Sequence, residues 1–150
     1  MEEKIVKIID NLLKENITCD KVVETFYNIG SILNENNTSY HTIFKIEDSL
    51  INKYGKLISF SRKNLNTMML FNKTYKDLDK IKKVDWNTHL FILKRKNKEQ
   101  LIDFIIQNKL NKREIEYYVK NNKIKKIEMN YEDPATEEIK KIGLNKNNNI

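Results

Sequence analysis

The chain has 150 residues, a length that fits one domain able to bury a hydrophobic core without disulfides or a structural metal. Its single cysteine excludes an internal disulfide, and no apolar run approaches the roughly 18 residues of a membrane span, so we expect a cytoplasmic protein that does not enter a membrane. Only three glycines and one proline are present to form hairpin turns. The composition therefore predicts an all-α, compact multi-helix domain.

The net charge of +7 is distributed unevenly along the chain. Residues 1–52 carry 5 basic and 9 acidic side chains, residues 53–126 carry 20 and 7, and residues 127–150 carry 3 and 5. The middle part, which we call the basic segment, therefore has a net charge of +13. Such a block of charge is typical of a nucleic-acid-binding protein and, less often, of a protein that docks on an acidic partner.

Three amphipathic helices are predicted before the basic segment and at its edge. The first covers residues 3–16, where aliphatic side chains recur at three- and four-residue spacing. The second follows Thr18 or Asp20 as N-cap, because short polar side chains satisfy the free amides of a helix start. The third runs from a cap at Ser39 to Gly55, which can adopt the left-handed conformation that ends a helix.

Three further helices are predicted in the basic segment. One opens at Ser61, and the stretch "KDLDKIKKVD" that follows it is expected to be an irregular basic connector. The next begins at Asp85 or Asn87. Asn97 with Gln100 three residues later resembles a capping box, in which each residue satisfies the backbone of the other, and predicts the third of these helices.

The end of the basic segment and the C-terminal residues predict two more helices and one short strand. Asn111 with Glu114 forms a second capping-box pair, and an Asp-Pro pair starts a last helix. Weak alternation near 123–131 suggests the strand. We therefore expect a single helical domain at 1–131, with its basic helix-turn-helix part at 53–126, followed at 132–150 by a C-terminal helix and a frayed tail.

The basic segment contains the same short pattern twice. Residues 60–65 and 110–115 each read as a large apolar residue, a small polar one, two basic residues, any residue and an aliphatic. Around the second copy, the stretch 101–119 fits a helix-turn-helix: Asn108 and Lys109 form the turn, where Asn tolerates the left-handed region, and Leu110 lies beneath it. Each copy alone fits an ordinary surface helix of a lysine-rich protein better, but two copies within the basic segment support DNA binding about equally well.

The two copies supply the candidate DNA-binding residues, which are expected to face outward at the start of each second helix. Arginine can donate two hydrogen bonds to guanine, and the positive end of a helix dipole attracts phosphate. The candidates are Arg62, Lys63, Asn66 and Lys73 in the first copy and Lys112, Arg113, Tyr117 and Lys120 in the second.

Four ordered blocks of the sequence resemble the N-terminal domain of YhcG-type proteins. The blocks are "FYNIGSIL" (26–33), "KYGKLISFSRKNLNTMMLFNKTY" (53–75), "VDWNTHLFILKRKNKEQLIDFIIQNKLNKREIEYYVKN" (84–121) and "EDPATEEIKKIGL" (132–144). The resemblance covers about residues 22–144. It implies a helical DNA-binding domain of the kind that usually precedes a PD-(D/E)xK nuclease domain, here without the nuclease. Lys109, Leu110 and Asn111 replace the Gly-Trp and Ser of the family pattern.

No catalytic residue, metal site or cofactor is predicted. His89 and His41 are isolated from other candidate ligands, and His89 is expected to form a hydrogen bond within the helix packing. Glu138 and Lys140 match part of a nuclease signature, but that chemistry needs an acidic partner on a neighbouring strand to hold a divalent metal. We interpret the match as chance.

The sequence therefore predicts a non-catalytic protein that binds double-stranded DNA, as a regulator or accessory factor of a mobile element. The alternative is a protein-interaction module that docks its basic face on an acidic partner, such as a nuclease or restriction complex. The residue pattern leaves homo-oligomer formation open.

Overall fold

The computed structural model describes residues 1–127 and 130–148. The helices found there are α1 (Glu2–Leu13), α2 (Cys19–Glu35), α3 (Tyr40–Tyr54), α4 (Arg62–Thr74), α5 (Leu78–Ile81), α6 (Trp86–Ile92), α7 (Lys98–Asn108), α8 (Lys112–Asn121) and α9 (Pro134–Asn148). The predicted all-α class is confirmed. Residues 123–127 and 130–131 form no strand, and residues 128–129 of the suggested strand lie outside the described residues.

Helix α2 lies at the centre of the fold. It packs most extensively against α4 and also contacts α1, α5, α6 and α9. The approach to α4 is so close at Gly30 that a Cβ atom there would overlap the backbone carbonyl of Met68. Glycine is therefore required at this position by the space between two helices rather than by a turn.

An aromatic cluster fills the core between α2, α4 and α6. The Trp86 ring stands edge-on to Phe26 at 5.0 Å and to Phe71 at 5.2 Å between ring centroids. Such T-shaped contacts place the positive ring edge on the negative face of the neighbour. Trp86 is 1% exposed and Phe60 is 3% exposed, so both belong to the core. This cluster fixes the position of α6, the helix on which α8 packs.

Most of the predicted caps are confirmed. The side chains of Ser39, Ser61 and Asp85 accept hydrogen bonds from the backbone amides three residues later, at 3.2, 3.3 and 2.8 Å. Gly55 ends α3 with a φ of 87°. Each of these signals depends on a few consecutive residues, which is why the sequence alone was sufficient.

Three local predictions fail in whole or in part. Thr18 occupies the N-cap position of α2, but its side chain forms no capping hydrogen bond. Asn97 forms no capping hydrogen bond, because its backbone (φ −95°, ψ 26°) lacks the extended conformation of a capping residue, so Asn97 and Gln100 do not form a capping box. The connector expected to be irregular contains α5, which Asp77 caps and which buries Ile81. Within the described part of the chain, no helix is long and apolar enough to cross a membrane.

Candidate nucleic-acid interface

The start of α8 is held by the predicted capping box. The backbone amide of Asn111 donates to Glu114 Oε1 at 2.9 Å, and the amide of Glu114 donates to Asn111 Oδ1 at 2.9 Å. Glu114 is only 5% exposed, and its second carboxylate oxygen accepts the amide of Ile127 at 3.2 Å. One carboxylate therefore fixes both the first turn of α8 and the segment that follows the helix.

A tight turn joins α7 to α8. The left-handed residue is Lys109 (φ 52°, ψ 51°), whereas Asn108 is the last residue of α7. Leu110 is tucked beneath the turn at 8% exposure, and its amide donates to the carbonyl of Ile105 at 3.1 Å. Beyond the turn, the rings of Phe104 and Tyr118 stack at 4.2 Å, which holds α7 and α8 together. The second helix is thus positioned firmly relative to the first.

The four candidate residues of α8 differ in their contacts. Lys112 pairs with Glu116 at 2.9 Å, and the ring of Tyr117 lies 5.5 Å from the ammonium group of Lys125. Arg113 and Lys120 are exposed, and neither forms an ion pair with any other described residue. Arg113 sits in the first turn of the helix. These two cations are therefore the α8 candidates most available to an anion in solution.

Three lysines just after α8 extend this exposed positive charge. Lys123, Lys125 and Lys126 are all exposed, and the Glu114–Ile127 hydrogen bond ties their segment back to α8. These lysines were not among the candidates predicted from the sequence, because their segment was predicted to form a short strand. Their signal was nevertheless present as three lysines within four residues. We call Arg113, Lys120, Lys123, Lys125 and Lys126 together the α8 basic surface.

The first copy of the pattern uses its arginine differently. Arg62 Nε pairs with Glu47 Oε1 of α3 at 3.1 Å, and its backbone amide donates to Glu47 Oε2 at 2.7 Å. Its guanidinium carbon also lies 3.8 Å from the centre of the Phe44 ring. Arg62 therefore fastens α4 to α3. The other three candidates of this copy, Lys63, Asn66 and Lys73, are exposed.

The two copies belong to different parts of the fold. Helix α4 packs mainly on α2 and α3, whereas α8 packs on α6. The structure consequently does not gather all eight candidate residues into one set of contacting side chains. It places Arg113 and Lys120 on one helix and leaves Lys63, Asn66 and Lys73 on another.

Most of the positive charge of the basic segment is not neutralised locally. Five of its twenty cations form ion pairs within residues 1–127 and 130–148, namely Lys53, Arg62, Lys80, Lys82 and Lys112. The other fifteen have no ion-pair partner among those residues. Exposed ion pairs contribute little to stability, about 1 kcal/mol or less, so an exposed lysine or arginine needs no such partner for the fold to be stable.

His89 and Glu138 both have structural partners. His89 is 1% exposed, and its Nε2 lies 2.7 Å from the carbonyl of Ile81, which confirms the predicted hydrogen bond within the packing. Burial lowers the pKa of His89 to about 4. The carboxylate of Glu138 accepts the backbone amides of Ile58 at 2.9 Å and Ser59 at 2.8 Å, so it anchors the loop before α4.

The helix starts of α6 and α9 are joined by a second polar network. Asp133 accepts the backbone amide of Asn87 at 3.1 Å and the hydroxyl of Thr136 at 2.6 Å. Asp85 accepts the hydroxyl of Tyr131 at 3.2 Å, and burial raises the pKa of Asp85 above its ordinary value. Among the described side chains, no group of three or more His, Cys, Asp or Glu residues is arranged to hold a metal ion.

Comparison with protein-family models, with curated proteins and with solved structures gives no significant match to this chain. The resemblance to YhcG-type proteins therefore stays a prediction, carried by the four sequence blocks given above.

Proposed function

We propose that this protein binds double-stranded DNA, without catalysing a reaction on it, through the α8 basic surface. The observation that carries the proposal is the position of Arg113, an exposed arginine without an ion-pair partner among the described residues, in the first turn of a rigidly capped helix. Four exposed lysines follow it on the same helix and on the segment tied to that helix. This is the arrangement that combines base reading with phosphate contact.

The dimensions of α8 suit the major groove. A helix of 10 residues is about 15 Å long, and an α-helix fits into a groove about 12 Å wide. In the proposed complex the start of α8 enters the groove, so Arg113 donates two hydrogen bonds to the edge of a guanine. Lys120, Lys123, Lys125 and Lys126 contact phosphates on either side and fix the orientation of the helix.

The first copy has a smaller part in this proposal. The guanidinium of Arg62 is engaged by Glu47 and Phe44, so α4 has no free arginine at its start. Lys63, Asn66 and Lys73 are exposed and can add phosphate contacts where the duplex extends beyond α8. Lys112 contributes after its pair with Glu116 opens, and Tyr117 supports the surface through its contact with Lys125.

The biological role that we propose is that of a regulator or accessory factor of a mobile element. The support for it is the sequence resemblance alone. The alternative function is docking of the basic face on an acidic protein, because positive charge attracts either partner.

The proposal is tested by fluorescence anisotropy with a labelled duplex of random sequence over a series of salt concentrations. The four lysines, each neutralising one phosphate, give a slope of log affinity against log salt of about −3.6. Binding that depends on salt in this way supports the DNA proposal. A protein that fails to bind any duplex at low salt refutes it and leaves protein docking as the function.

A further inference from the structure

The side chain of Tyr117 lies on the same face of α8 as Arg113. The two residues are four positions apart, the spacing that places side chains one above the other on a helix. The core side of α8 is formed instead by Ile115, which is 0% exposed. Glu116 pairs with Lys112 at 2.9 Å, one position further round the helix, and is neutralised there. Tyr117 is therefore directed away from the core, next to the arginine that we propose to read a base.

The ring of Tyr117 is half-buried, and its surroundings belong to the α8 basic surface. The ring centre lies 5.5 Å from the ammonium group of Lys125, one of the proposed phosphate contacts. The described residues supply no hydrogen bond to the Tyr117 hydroxyl. The neighbouring aromatic residue of α8, Tyr118, stacks on Phe104 at 4.2 Å and joins α8 to α7. Tyr117 is thus the aromatic side chain of α8 that remains for a ligand.

A tyrosine beside a base-reading arginine matches one particular group on duplex DNA, the methyl group at C5 of a pyrimidine. Thymine presents this methyl group in the major groove next to O4, which accepts hydrogen bonds. An aromatic ring makes apolar contact with the methyl group, and a phenol hydroxyl can donate to the neighbouring O4. Lysines that contact phosphates carry no direct sequence information. Sequence selectivity on this surface therefore depends on Arg113 and Tyr117.

We propose that α8 recognises a guanine through Arg113 and the C5 methyl group of a nearby pyrimidine, in thymine or in 5-methylcytosine, through Tyr117. This inference rests on the proposed function and names the DNA that the protein selects. Four residues of α-helix extend about 6 Å and neighbouring base pairs are about 3.4 Å apart, so the two bases lie about two base pairs apart if α8 follows the groove. A helix that enters the groove at an angle reduces this spacing to about one base pair.

The test starts from the duplexes that the parent protein selects from a random library, whose shared site should contain a guanine and a thymine at this spacing. Replacing that thymine by uracil removes the methyl group and keeps every hydrogen-bonding group of the base. Binding should weaken about fourfold, the factor expected for one buried methyl group. A duplex with 5-methylcytosine at the same position distinguishes the two sources of the methyl group. It should bind more tightly than thymine if methylated DNA is the target, and less tightly if O4 of thymine is also used.

Matched variants assign the methyl contact to Tyr117. Tyr117→Ser should bind the thymine and uracil duplexes equally, whereas Tyr117→Phe keeps the ring and should retain the preference for thymine. Neither substitution changes the charge, so the slope of log affinity against log salt should not change. Tyr40→Ser is the control, because Tyr40 is 70% exposed on α3 and its loss should alter neither affinity nor the preference for thymine. Arg113→Ala should lose the preference for guanine and keep that for thymine.

Three results would overturn this inference and leave DNA binding itself intact. The first is a parent protein that binds duplexes without preferring any base. The second is equal binding of the thymine and uracil duplexes by the parent. The third is a preference for thymine that Tyr117→Ser retains, with circular dichroism showing that the variant is folded. A parent protein that binds no duplex at low salt would instead refute the proposed function, and this inference with it.

Discussion

Replacing Arg62 and Arg113 in turn should separate stability from binding, although each is the arginine of the basic pair in its copy of the repeated pattern. Arg62→Ala removes a partly exposed ion pair with Glu47 at 3.1 Å and a cation–π contact with Phe44 at 3.8 Å. The ion pair stabilises by up to about 1 kcal/mol after solvent screening, and the stacking by about 0.5–1 kcal/mol. We expect a loss of about 1–2 kcal/mol in the free energy of unfolding.

Arg113→Ala should have the opposite effects. Arg113 is exposed and has no ion-pair partner in the described part of the chain, so its removal should change the free energy of unfolding by less than about 0.5 kcal/mol. Its loss should weaken binding to the preferred duplex by about 1–3 kcal/mol and reduce sequence selectivity. Urea unfolding measures the first quantity, and fluorescence anisotropy with the folded variants measures the second.

The conservative variant Arg62→Lys is the control for charge. Lysine keeps the positive charge but lacks the planar guanidinium that stacks on Phe44, so it should recover only part of the lost stability. The reasoning is refuted if Arg62→Ala leaves stability unchanged and weakens DNA binding as much as Arg113→Ala does. Both copies of the pattern would then contact DNA.

Three other substitutions test the fold. Gly30→Ala should lower the free energy of unfolding by several kcal/mol, because the added methyl group meets the backbone of Met68 and forces α2 and α4 apart. An unchanged midpoint of urea unfolding would contradict this packing. Trp86→Ala should lower the free energy of unfolding by about 3–5 kcal/mol, because it empties a buried site. An unchanged melting temperature would place Trp86 outside the core. Burial lowers the pKa of His89 to about 4. The imidazole of His89 therefore binds a proton more tightly in the unfolded chain than in the folded protein. The free energy of unfolding should fall by up to about 3 kcal/mol as pH drops from about 6.5 to about 4. His89→Gln should remove that part of the pH dependence, and an unchanged pH profile would contradict the neutral buried ring.

The helix starts could be predicted from the sequence because their chemistry is local. Ser39, Ser61, Asp85 and Asn111 each cap a helix through a contact with the residue three positions later. The left-handed turn residue is Lys109 rather than Asn108, which shows the limit of such signals: residue preference favours asparagine, but the packing of Leu110 beneath the turn decides where the helix ends.

The roles of individual charged residues could not be predicted because they depend on distant partners. Arg62 is engaged by Glu47, 15 residues earlier, and the carboxylate of Glu138 binds amides about 80 residues away. The sequence therefore placed Arg62 among the DNA-binding candidates without indicating that its guanidinium packs on α3. In the same way, α5 forms where a basic connector was expected, because Ile81 is buried and its carbonyl contacts His89.

The most direct test of the α8 basic surface compares two variants that lose the same number of positive charges at different places on the protein. Two quadruple variants each remove four exposed lysines and lower the net charge equally. One replaces Lys120, Lys123, Lys125 and Lys126 by alanine, and the other replaces Lys4, Lys7, Lys14 and Lys45. We predict that the first flattens the slope of log affinity against log salt from about −3.6 to near zero, whereas the second leaves it near the parental value. Equal losses in both variants, or a first variant that binds duplex DNA as the parent does, would contradict the assignment of DNA binding to this surface.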